Sequence, residues 1–204
     1  GDVPDAALVL RADYTDRGAN GMPAINTENE VIFRSPTIAV AGGQLSDGVS
    51  KQSVPELPVP VTVVSRPGSS VNFKQIDLTG VGAVTFVAVA PAQYQAIGGK
   101  IEVRADSPTG PLLGESEMIK PTTDQAAPPA RLRVALKPTS GMHDVYFVFR
   151  NVEAKSDSFM FGVLTATFEP DQFTIGGTVG GLAGSGLELS LNGGASLSVP
   201  ANAT

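Results

Sequence analysis

The side chains able to do chemistry are few. One histidine, His143, stands in 204 residues, and there is no cysteine and no tryptophan. Without cysteine there are no thiolate nucleophiles, thiolate metal sites or disulfides. A lone His lacking Cys or a paired carboxylate makes no triad, and its place after the Ser140-Gly141 turn reads as structural. Glu115 and Glu117 would share one face of a strand, but nothing sets the roughly 5–9 Å opposed geometry of glycoside hydrolysis. Asp13-Tyr-Thr-Asp-Arg-Gly-Ala-Asn-Gly21 lacks the spaced Asp-x-Asp-x-Asp-Gly pattern of a calcium loop and reads as an Asx- and Gly-stabilised turn. No nucleophile, base or metal cluster emerges, so the expectation is a chain that is not an enzyme and needs no cofactor or metal.

What remains suits recognition. Tyr94 lies in Ala90-Pro-Ala-Gln-Tyr-Gln-Ala-Ile-Gly-Gly99, a loop or short helical turn between strands. It is the best candidate for an exposed ring that stacks on a ligand. Tyr146 reads as core or second layer. Arg104, Arg131 and Arg133, with Glu102 and Asp106, are expected to share the outer face of neighbouring strands. They would form either a solvated, salt-bridged face or a polar ligand groove.

The elements that must position these residues are strands. Lys100-Ile-Glu-Val-Arg-Ala-Asp106 alternates, with Ile101, Val103 and Ala105 on one face, and Arg131-Leu-Arg-Val-Ala-Leu136 does the same with Leu132, Val134 and Leu136. The stretches Val81–Ala90, Asp144–Arg150 and Phe159–Phe168 are apolar on both faces and read as covered strands. Turns fall at Arg66-Pro-Gly-Ser69, Ser107-Pro-Thr-Gly-Pro111 and Pro138-Thr-Ser-Gly141. With 23 Gly, 16 Pro, 42% hydrophobic and 17% charged residues, the chain predicts an all-β sandwich or jelly roll. The net charge of −6, without a basic stripe, argues against nucleic acid, and no apolar run is long enough to span a bilayer. The start at Gly1, with no Met and no signal-like apolar segment, reads as processed or trimmed.

Three zones are expected: an entry segment over 1–36 with two strands, a sandwich over 37–170, and a Gly-rich tail over 171–204. The tail alternates Phe173, Ile175, Val179, Leu187, Leu189 and Leu191 among small residues and is too short for a core of its own. These six are candidate assembly residues, pairing with the sandwich, with another chain, or within a further domain.

Ile76-Asp-Leu-Thr-Gly80, the stretch Gly98–Gly114 with its Asp-Ser-Pro-Thr-Gly-Pro-Leu-Leu-Gly turn, and Ser140-Gly-Met-His-Asp-Val-Tyr-Phe-Val-Phe149 resemble a family 6 carbohydrate-binding module in order and spacing. The entry segment is similar to the lead-in before such modules in multidomain bacterial sugar-dehydrogenase chains. The tail is similar to the start of Gly-rich repeats in bacterial surface proteins. The resemblance implies a sugar site built from an aromatic platform and an Asn on the last strand, with a structural calcium nearby. Against that pattern the Asn position is Gly162, the acidic or amide position Leu164 and the Trp position Thr165. The loop that usually offers a second Trp, Pro121–Pro129, has no aromatic residue, and the early Glu-x-Glu is Ala39-Val-Ala41. Two functions are therefore expected. One is a non-catalytic, carbohydrate-binding accessory module of a secreted bacterial protein, at the cell surface, outside the cell or in the periplasm, with polysaccharide or other domains of a larger chain as partners. The other is a structural module that has lost sugar binding and assembles by β-strand exchange into an oligomer or filament.

Overall fold

The fold is described from a computed structural model, covering residues 7–18, 23–55, 57–124, 126–155, 158–171, 187–189 and 197–199. The chain divides into two compact units, 1–171 and 172–204. In the first, β1 (Ala7–Thr15) and β2 (Asn26–Arg34) form an antiparallel two-stranded sheet of their own, in register from Ala7↔Arg34 to Thr15↔Asn26. Its loop is closed by Asp16, whose carboxylate accepts the backbone N–H groups of Gly18 and Ile25, both at 2.9 Å. Those two bonds, Ile25 first, hold the Asp16 carboxyl below its ordinary value.

The sandwich follows. One layer has five strands in the order β10 (Leu112–Glu115), β9 (Lys100–Ala105), β12 (Met142–Arg150), β7 (Ser70–Asp77) and β4 (Gln44–Leu45). The other has six: β11 (Ala130–Ala135), β8 (Val81–Val89), β13 (Phe161–Pro170), β6 (Val61–Val64) and β5 (Val49–Gln52), with β3 (Thr37–Ala39) also pairing β13. The paired strands run antiparallel, as a jelly roll requires. The second unit shows a short antiparallel pair, β14 (Leu187–Leu189) and β15 (Leu197–Val199).

Alternation decides which side chains meet between the layers. Val84, Phe86 and Ala88 of β8 face Val145, Phe147 and Phe149 of β12, all fully buried. Phe86 meets Phe147 edge-on at 4.9 Å between ring centroids, and Phe149 meets Phe161 edge-on at 5.7 Å. Both contacts join one layer to the other in the arrangement that the ring quadrupole favours.

Candidate functional site

A groove with a volume of about 1010 Å³ lies on the outer face of the six-stranded sheet. Its floor comes from the outward positions of β6 and β8, Val61, Val63 and Val89, with Ala88 beside them, and one wall from Val54, Pro55 and Leu57. Apolar residues recur here because the sheet carries a second, smaller core on this side. Leu164, Val59, Val61 and Ala39 are buried in it, with Val54, Leu57, Val63, Val87 and Val89 packed around them. The opposite wall is the chain through Ile119, Thr122 and Asp124 to Pro128 and Pro129. The polar liners Gln52, Gln93, Lys120, Thr122 and Asp124 are exposed, whereas Val54, Leu57, Val61, Val63, Val89 and Ile119 are half-buried or buried. The groove therefore has an apolar floor below an exposed rim in which these polar side chains alternate with Pro55, Pro128 and Pro129.

Tyr94 sits at the rim, 66% exposed. It ends a single 3-10 turn, Ala92–Tyr94, closed by Gln95 in the left-handed region at φ 60°. The turn is tied down: Ala92 N–H donates to the Thr122 carbonyl at 2.8 Å, and Thr122 N–H donates to the Ala90 carbonyl at 2.9 Å. Gly98 makes this approach possible. A Cβ there would stand 2.1 Å from the Ile119 carbonyl oxygen, and its φ of +77° favours glycine as well.

The sequence profile described as "Carbohydrate binding module (family 6)" matches residues 55–162, more than half of the chain. The chain belongs to family 6 of the carbohydrate-binding modules. An arabinoxylan arabinofuranohydrolase from Paenibacillus polymyxa is 28% identical over 154 residues, 71% of this chain and 23% of that protein. One from Bacillus subtilis is 34% identical over 96 residues, 42% of this chain and 18% of that protein. The chain thus spans less than a quarter of either relative. A family 6 module from Clostridium cellulolyticum, solved with xylose, superposes with a TM-score of 0.55 at 24% identity, covering 67% of this chain and 99% of that one. A β-1,3-glucan-binding family 6 module from Bacillus halodurans gives 0.54 at 19% identity, covering 65% and 93%. These likenesses show the jelly-roll fold.

In this family 6 module the positions where the resemblance led one to expect the sugar-binding amide, its acidic neighbour and the early carboxylates are occupied by buried residues. Gly162 is buried on β13, paired with Val63 and Val89, and a Cβ there would meet Val61 Cγ1 at 2.6 Å and Val89 Cγ2 at 3.1 Å. Leu164 belongs to the outer apolar core, and Ala39, Val40 and Ala41 are buried. Among the described residues, no three His, Cys, Asp or Glu side chains converge as a metal site would require.

The arginines do not share a face. Arg104 is on β9, in the five-stranded layer, and Arg131 and Arg133 are on β11, in the six-stranded layer, so they lie on opposite outer surfaces of the sandwich. Similar alternating sequences gave no sign of which sheet each strand joins. Arg133 donates Nε–H to Glu169 at 2.8 Å, and Thr85 donates to the same carboxylate at 2.6 Å. The Thr85 bond and then Arg133 hold Glu169 below its ordinary value. Arg131 is exposed near the groove, and none of the three arginines lines it. Of the tail candidates, Leu187 and Leu189 lie in β14, while Phe173, Ile175, Val179 and Leu191 fall outside the described residues.

His143 has two acceptor partners. Nδ1 lies 3.1 Å from Asp106 Oδ1, and Nε2 lies 3.2 Å from the Ser140 carbonyl. A carboxylate and a carbonyl both call for a donor, so only the doubly protonated ring satisfies both. The bond to Asp106, then that to Ser140, raises the His143 pKa above its ordinary value.

Arg104 instead shares Glu102 with Arg150. Glu102 is 8% exposed, and its Oε2 accepts from Arg104 Nε at 2.7 Å and Arg150 Nε at 3.0 Å. Burial pushes the carboxyl up, but the two guanidinium bonds outweigh it and the net shift is downward. A lowered folded-state pKa contributes stability above the unfolded value near 4.5, and that contribution is lost as pH falls through the folded value. Glu102→Gln is expected to cost about 1–3 kcal/mol at neutral pH. In urea unfolding of parent and variant at pH values from neutral to about 3, the gap should narrow below pH 4.5. A gap independent of pH would mean that charge plays no part.

Proposed function

We propose that the chain is a non-catalytic accessory module that holds a secreted bacterial protein against polysaccharide. The ligand lies along the groove of the six-stranded sheet, with one sugar ring on Tyr94. The observation that carries this reading is an exposed tyrosine on a tethered turn at the rim of an apolar-floored groove. A flat ring matches the C–H face of a pyranose, and the exposed amides of Gln52 and Gln93 can meet hydroxyl groups at the rim. Ligand polar contacts come from rim side chains and not from the last strand, where the family's Asn position is glycine.

Arabinoxylan, xylose and β-1,3-glucan appear in the names of the relatives and are the first ligands to test. Tyr94→Ala is expected to weaken retention on insoluble arabinoxylan by about 30-fold, the effect of losing a central aromatic anchor worth about 2 kcal/mol. Retention that is unchanged by the substitution removes Tyr94 from the site. A second reading, a structural module without sugar affinity, is favoured by the valines that crowd Gly162. It requires failure to bind any glycan, together with a large assembly in solution that becomes monomeric when residues 172–204 are removed.

A further inference from the structure

The division of the groove into rim and floor bears on the kind of glycan that fits. Val61, Val63, Leu57 and Val89 carry no side-chain donor or acceptor, and the polar liners stand in solvent above them. A free sugar hydroxyl pressed onto this floor would lose its water without gaining a side-chain partner. A methyl group placed there would leave water with nothing lost. Crowding at Gly162 keeps a polar side chain from being accommodated on the neighbouring strand without rearrangement.

We infer that the groove selects O-acetylated polysaccharide over the same chain with free hydroxyls. The acetyl methyls would rest on the Val61–Val63–Val89 floor while Tyr94 carries the ring. This rests on the carbohydrate-binding reading above and names the substrate class of that site. Acetylation replaces a hydroxyl, which needs a donor and acceptor partner, by an ester whose carbonyl can point to the rim and whose methyl suits the floor. Selectivity here thus comes from the penalty on the wrong ligand as much as from contacts with the right one.

The test compares affinity of the whole chain for O-acetylated arabinoxylan and for the same preparation after mild alkaline de-esterification. An O-acetylated mannan treated the same way serves as a second pair. The acetylated member of a pair should bind about tenfold more tightly, a difference of about 1.4 kcal/mol. Val63→Thr and Val89→Thr place a near-isosteric hydroxyl on the floor, and in variants with the parent's circular dichroism and thermal midpoint the ratio should fall toward unity. Equal affinity for both members overturns the inference and leaves the carbohydrate-binding reading standing, as does a ratio that the valine variants do not change. Absence of binding to all four polysaccharides overturns both.

Discussion

Gly162→Asn, which puts an amide where the family resemblance places its sugar-binding Asn, is expected to destabilise the chain by about 2–6 kcal/mol and to add no affinity for glycan. Gly162 is flanked by Val63 of β6 and Val89 of β8, and a Cβ would stand 2.6 Å from Val61 Cγ1 and 3.1 Å from Val89 Cγ2. Neither valine is the far end of a long flexible side chain. Overpacking of this kind costs about 1–3 kcal/mol, and a buried amide without a partner adds about 1–3 kcal/mol. Urea unfolding measures the first effect and retention on arabinoxylan the second. Gly162→Ala separates steric crowding from the amide. An Asn variant as stable as the parent and more strongly retained would show that Val61 and Val89 give way, and that glycine at position 162 has no steric cause.

Phe147→Ala should remove about 3–5 kcal/mol, a large part of the 5–15 kcal/mol typical of a folded domain. Phe147 is fully buried on β12 and touches rings from both layers: Phe73 at 5.6 Å, Phe86 at 4.9 Å and Phe168 at 6.4 Å between centroids. Phe73 belongs to its own sheet, while Phe86 and Phe168 belong to the other. Truncation therefore opens a cavity at the seam, where neither sheet can close it alone. The chemical-denaturation midpoint checks this. A loss below about 1 kcal/mol would mean that the layers can collapse onto the gap, against the close packing of such interiors.

Alternation at Ile101, Val103 and Ala105, and at Leu132, Val134 and Leu136, identified the strands and their inner faces, because a period of two is a local property of extended backbone. The apolar stretch from Val81 became β8, flanked by β11 and β13. The Asp-Ser-Pro-Thr-Gly-Pro-Leu-Leu-Gly turn, part of the resemblance read from the sequence, lies within the residues 55–162 that the family model matches, and turn residues at fixed spacing are legible because they answer to local geometry.

Sheet membership was not legible. Arg104 and Arg131 sit in similar alternating strands, yet they fall on opposite faces of the molecule, since pairing partners are chosen by the whole topology. Tyr94 stood out as an exposed ring from its loop alone. That it borders a groove depends on two backbone hydrogen bonds to Thr122, 28 or more residues further along the chain. The groove's floor left the weakest trace. Val54, Leu57, Val61, Val63 and Val89 look in sequence like ordinary interior residues. Composition and periodicity by themselves determined an all-β chain whose strands carry apolar faces. The tertiary structure alone decided that one outward face carries a second apolar core with a groove beside it, because only packing between segments distant in sequence tells a covered valine from one that lines an open groove.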